Sequence, residues 1–253
     1  MLALVFAVAC GRQVTPSPNL TGSLAGTVQI KYRAAAAFDF TQFNYWVVFN
    51  TSGQGGEPYA PALTQGNYKN FSYAFVAGAI SGGAGTVQPI LFQFYFIPAT
   101  GQVHFQQFNV NPATTTLEPN TNGQGTEFTL IFARSQLALP PPTAPSPSPS
   151  AAGTSTPTPV PTPTPTGGGT SAPTPVSSPT VAAQSTWYVN LFTTSSNKVV
   201  LDALGLGPTD QSFTAGTFNV NSPVDIVFNQ PAELNPPPNP AAQLSGVEII
   251  NTP

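Results

Sequence analysis

Charge is what this sequence has least of. Lys and Arg together number 6, Asp and Glu 9, and only 6% of the 253 residues are charged, against about 25% in an ordinary soluble domain. The cations never cluster; Lys31 and Arg33 are the densest pair. A protein that tracks phosphates needs a basic stripe to release counterions, so no nucleic-acid partner is expected. The net charge of −3 fits a surface made soluble by Asn, Gln, Ser and Thr. Cysteine is scarcer still. Cys10 stands alone, so no intrachain disulfide, zinc cluster or redox pair can form. Histidine is also single, and a Ser-His-Asp or Cys-His site would have to use His104. That residue sits in an alternating segment and reads as an ordinary strand residue. No G-x-S-x-G elbow surrounds any serine.

What the chain does have is rings, prolines and glycines. Hydrophobic residues make up 40% and aromatics 11%, with 22 Gly and 30 Pro. Almost no helical periodicity accompanies them, so strands and turns are expected. About 180 residues are foldable once the N-terminus and a proline-rich stretch are set aside, enough for one large domain or two small ones. In the block 23–137, Thr27 to Arg33 alternates with Val28, Ile30 and Tyr32 on one face. Phe38 to Asn50 is the strongest strand signal, with Phe43, Tyr45, Val47 and Phe49 sharing a face. Phe71 to Ala77 alternates again. Val87 to Ile97 is nearly continuous in apolar residues, as in a strand covered on both sides, and Pro89 belongs at its start. Gln102 to Val110 returns as its hairpin partner. Asn111 to Gly125 reads as a polar loop, and Glu127 to Ala133 closes the block. Nothing here reads as a helix.

From Ser135 to Ser185 there is no charged and no aromatic residue, and fourteen prolines lie between Pro140 and Pro179. This segment, 138–185, has nothing to bury and is expected to be a disordered, extended polyproline cord reaching on the order of 100 Å. Beyond it, the block 186–253 offers short strands at Thr186–Thr194, Lys198–Ala203, Thr217–Val220, Val224–Phe228 and Gly246–Ile250. A block of that size buries little of its surface alone. Either it is a small second domain, or its strands complete the first block and cover its edges; the second arrangement is favoured. The fold class expected is all-β, an antiparallel β-sandwich of immunoglobulin-like or jelly-roll-like type.

Met1 to Ala9 reads MLALVFAVA and ends immediately before Cys10-Gly11. The run is too short to span a bilayer, which takes about 20 residues. Ala7-Val8-Ala9 ahead of Cys10 resembles the lipobox of bacterial lipoproteins. That resemblance implies a signal segment over 1–10, acyl chains on Cys10, a membrane partner through that anchor, and a tether over 11–22. The alternative is an ordinary secretory signal in which Cys10 is incidental.

The residues that could carry chemistry are sparse. Two carboxylates at a suitable separation would serve a glycoside hydrolase, and nine are scattered along the chain: Asp39, Glu57, Glu118, Glu127, Asp202, Asp210, Asp225, Glu233 and Glu248. Asp202 and Asp210 flank a Gly-rich loop that could meet Ca²⁺, although they read better as solvated turn residues. No cofactor is implied. The rings say more. Trp46, Tyr59, Tyr68 and Trp187, with Tyr95 and Tyr188, are candidates for exposed platforms that stack on sugar rings, or else they fill a two-layer core. The expectation is a lipid-anchored or secreted extracytoplasmic protein of the bacterial cell envelope, non-catalytic, with a structural or binding role. The alternatives are a carbohydrate-binding module for cell-wall or extracellular glycan, and a two-carboxylate hydrolase.

Overall fold

The structure, a computed structural model, describes residues 25–52, 56, 58–66, 68, 70–78, 88–97, 100–112, 114–119, 125–138, 185–205, 216–233 and 235–253. Cys10, the tether, Glu57, Asp210 and all but the ends of 138–185 therefore lie outside the described residues.

The described chain is nearly all β. In order come β1 (Thr27–Ala34), β2 (Phe43–Asn50), the short helix α1 (Ala60–Gln65), β3 (Tyr73–Gly78), β4 (Ile90–Ile97), β5 (Gln102–Asn109), β6 (Thr115–Pro119) and β7 (Glu127–Ala133). A single 3-10 turn, Arg134–Leu137, follows. After the proline-rich stretch come β8 (Thr186–Ser195), β9 (Val200–Ala203), β10 (Gly216–Asn219), β11 (Val224–Asn229) and β12 (Leu244–Thr252).

Every pairing is antiparallel, and two sheets result. One has five strands in the order β11-β12-β1-β7-β6. The other has seven, β10-β8-β2-β3-β4-β5, with β9 also on β8. The two sheets pack face to face, so the all-β antiparallel sandwich read from the alternation is the fold. Strands from both sides of the proline-rich stretch share both sheets. β1 pairs with β12 from Thr27↔Thr252 onward, and β2 pairs with β8 from Phe43↔Ser195 to Asn50↔Tyr188.

Alternation explains the core. Val28, Ile30 and Tyr32 of β1 and Phe128, Leu130 and Phe132 of β7 face Tyr45, Val47 and Phe49 of β2 and Leu191 of β8, all buried. Rings interlock there: Phe75 lies 4.7 Å from Phe132 and Tyr32 stacks on Phe128 at 4.8 Å. A fully buried Phe or Leu contributes about 1.5–3 kcal/mol by leaving water. The tyrosines also tie one layer to the other. Tyr32 Oη donates to the Phe192 carbonyl (3.1 Å) and lies 2.8 Å from Thr193 Oγ1, while Tyr45 Oη donates to the Ala241 carbonyl (3.0 Å).

Three local readings are corrected. The loop 111–125 contains strand β6, whose TTLEP has too few apolar residues to signal itself. Residues 60–65 form α1, started by Pro61 in the first turn and closed by Gly66 in the left-handed region (φ 68°); six residues are too few to display a helical period. Phe71 does not share the face of Tyr73 and Phe75. The chain turns at 68–71, where the Phe71 N–H donates to the Tyr68 carbonyl, and its ring goes to the opposite side of the sheet. Pro89, as expected, immediately precedes β4.

Candidate functional site

The seven-stranded sheet is apolar on both faces, which is why β2 and β4 read as nearly continuous hydrophobic runs. Its inner face meets the five-stranded sheet. Its outer face carries Trp46 and Val48 from β2, Val76 from β3, Phe92 and Phe94 from β4, and Phe192 from β8. Tyr59, α1, Tyr68 and Phe71 lie over this second layer. There Ala60, Ala62 and Leu63 of α1 are buried, and Tyr59 and Tyr68 are partly so.

The cover stops short of β5. There the outer-face ring of Phe105 is 41% exposed. It lies 5.6 Å from Tyr68, 5.7 Å from Phe92 and 6.1 Å from Phe94. Lys198, from the turn between β8 and β9, places its ammonium 4.9 Å from the centre of the Phe105 ring, a cation–π distance. Trp46 forms the floor, stacked on Phe92 at 5.9 Å and held by an Nε1–H bond to Thr194 Oγ1 (3.0 Å). Together Trp46, Tyr68, Phe92, Phe94, Phe105 and Lys198 line a shallow hollow of ≈ 10 Å³, open to solvent. Clefts that enclose a whole small molecule run to about 300–1,000 Å³. A hollow of this size has room for about one water and encloses no ligand; what it offers is the exposed ring at its rim.

Of the predicted platform residues, Trp46 and Tyr68 come together here. Tyr59 belongs to the same layer, half-buried beside α1. Trp187 does not join them. It is 6% exposed in the inter-sheet core, edge-on to Phe49 and Phe218, and offers no platform. Trp46, likewise buried, underlies the hollow and offers no exposed face. Tyr95 stacks on the exposed His104 (6.2 Å) on the opposite face, and Tyr188 is half-buried. Phe105 and Lys198 were missed because a lone Phe in a strand reads as core. Only the knowledge that β5 is an edge strand beyond the cover sets it apart.

Several of the described carboxylates take structural roles. Glu248 accepts from Lys31 Nζ (2.7 Å) and from Arg33 Nη2 (2.8 Å), and Glu127 accepts from Arg33 Nε (2.7 Å). This network crosses β12, β1 and β7 on the outer side of the five-stranded sheet. Asp39 caps its own turn, accepting from Thr41 Oγ1 (2.6 Å) and the backbone N–H of Thr41 and Gln42. Glu118 and Asp225 are exposed on β6 and β11.

Asp202 is not a solvated turn residue but is wholly buried in β9. One carboxyl oxygen accepts from the Ala203 N–H and the other from the Leu244 N–H, both at 2.7 Å. The second bond ties β9 to the first residue of β12 and so links the two sheets. Burial pushes the Asp202 carboxyl up to about 8; the Leu244 N–H pulls the other way, and the neighbouring Glu233 carboxyl adds to the rise. Glu233 itself is anchored by Gln230, whose Nε2 donates to its Oε1 (2.5 Å) and to the Ala203 carbonyl (3.1 Å). With both oxygens engaged by backbone donors, Asp202 is a fastening between the sheets. Among the described residues no group of three or more His, Cys, Asp or Glu is placed to hold a metal ion.

No helix among the described residues is long and apolar enough to cross a membrane. Set against known proteins, the chain matches no family model, no curated protein and no solved structure.

Proposed function

We propose that the chain is a non-catalytic binding protein displayed outside the cytoplasm and held to the membrane by acyl chains on Cys10. The observation that carries the binding role is the half-open hollow at Phe105, Tyr68 and Lys198. Exposed rings backed by a second aromatic layer on a rigid sheet are preorganised, so little side-chain entropy is lost when a ligand stacks on them. The two-carboxylate reading has less support, since Asp202 is wholly buried with both oxygens on backbone donors.

The ligand class favoured by the hollow is a glycan. A pyranose presents one flat C–H face that can rest on the Phe105 ring, with Tyr68 standing at 78° as a side wall, and a rim of hydroxyls that the Lys198 ammonium can reach as donor. Retention of the protein on cell-wall preparations and insoluble polysaccharides, followed by a glycan array, tests this. Binding is expected to drop about tenfold on Phe105→Ala or Tyr68→Ala with the fold intact by circular dichroism. No retention on any glycan, or retention indifferent to both substitutions, overturns the sugar reading. For the anchor, Cys10→Ser is expected to move the protein from the membrane fraction to the soluble one.

A further inference from the structure

We propose that β5 is a self-association edge: two copies of the chain pair antiparallel through Gln102–Asn109 and join their seven-stranded sheets across a two-fold axis. An edge strand exposes a row of unpaired N–H and C=O groups, and folded proteins defend such edges with Lys, Pro, bulges or short strands. The other edges here are defended. β10 and β9 have four residues each, β6 has five with Glu118 and Pro119 among them, and β11 follows Pro223 and carries Asp225. β5 has none of these devices. Its eight residues, QVHFQQFN, include no Pro, Asp, Glu, Lys or Arg, and its ladder with β4 runs without a register shift from Ile90↔Asn109 to Ile97↔Gln102. Among the described residues nothing pairs with its other side. Exposed rings also gather at this margin: Phe105 on β5 and Phe96 on β4, the latter 58% exposed.

A second copy is the occupant that fits. A two-fold axis perpendicular to the sheet keeps each face on its own side, so residues opposite one another must share a face. With Phe105 opposite Phe105 of the second copy, Gln106 falls opposite His104 and Gln107 opposite Val103. No pair within the two strands brings like charges together, and the two central rings come into aromatic contact. The interface is isologous, so it consumes both β5 edges and stops at two chains. It also sets two hollows side by side on one continuous face. The pairing does not depend on what the hollow binds.

Sedimentation of the full chain tests this, together with amide exchange over residues 102–109. At micromolar concentration the expected mass is twice that of one chain, with the amides that point away from β4 protected as well as those bonded to it. The double substitution Gln106→Lys, Gln107→Lys places one cation on each face of β5, at exposed positions. It is expected to yield a folded monomer in which the 102–109 amides that point away from β4 exchange freely, while those bonded to β4 stay protected. Should the double variant fail to fold, Gln106→Lys alone, facing His104 of the second copy, takes its place with the same expected outcome. A monomeric wild-type chain overturns the proposal. So does a ladder of larger species, or a lysine variant that remains dimeric.

Discussion

Two side chains do most to lock the layers together. Tyr32 reaches across the sandwich to the Phe192 carbonyl and Thr193 Oγ1. Tyr32→Phe keeps the ring and leaves the Phe192 carbonyl and the Thr193 hydroxyl without the phenol oxygen they bond, so a loss of about 1–3 kcal/mol is expected in denaturant unfolding. Asp202 works differently. Its carboxyl holds a proton up to about pH 8 in the fold, whereas an exposed aspartate releases it near 4. Between those limits the folded chain binds more protons than the unfolded one, so stability must fall as pH rises. The contribution is complete below about pH 4 and gone above about 8. Thermal midpoints measured from pH 5 to 9 are expected to decline. Glu233→Gln removes the like-charge neighbour while keeping an acceptor for Gln230, and is expected to flatten that decline. An identical slope in the variant would remove Glu233 from the explanation.

Among the elements, β1 and β2 are the axes of the two sheets, each flanked on one side by a strand from beyond the proline-rich stretch. The β2–β3 pairing depends on a close approach. Gly78 has φ 139°, and a Cβ there would stand 2.1 Å from the Phe43 carbonyl oxygen. Backbone cannot yield as a side-chain tip can, so Gly78→Ala is expected to destabilise by about 2 kcal/mol or more, read as a lowered thermal midpoint. On the outer face of the five-stranded sheet, Glu248 serves two cations on β1. Because these groups are partly exposed, Glu248→Gln is expected to cost only about 1 kcal/mol, and the loss should shrink in high salt. Strand positions were legible because period-two alternation survives wherever one face is buried: Val28, Ile30 and Tyr32 face the core as their spacing implies. β6 and α1 were not, since TTLEP lacks apolar alternates and six residues make less than two helical turns. The hollow was half legible. Tyr68 and Trp46 stood out as rings, yet their meeting with Phe105 and Lys198 depends on where the cover over the outer face ends.

At the scale of the molecule, two blocks that are separately thin become one thick sandwich. The block 23–137 supplies β1 to β7, but alone it would leave one side of β1 and one side of β2 bare, each flanked by apolar side chains. The block 186–253 supplies β12 and β8 for those two edges. It gains from the partnership a core that about 68 residues could not build without staples. The low charge of the chain suits this arrangement. Strands with few charged alternates can be apolar on both faces, which allows a second aromatic layer outside the sandwich and a ring-lined hollow where that layer meets solvent. Expression of residues 23–137 by themselves, compared with the same fragment co-expressed with 186–253, tests the shared sandwich most directly. The expected result is a fragment that aggregates or unfolds without cooperativity alone and regains a single sharp transition with its partner. A soluble 23–137 fragment that unfolds cooperatively by itself would contradict it.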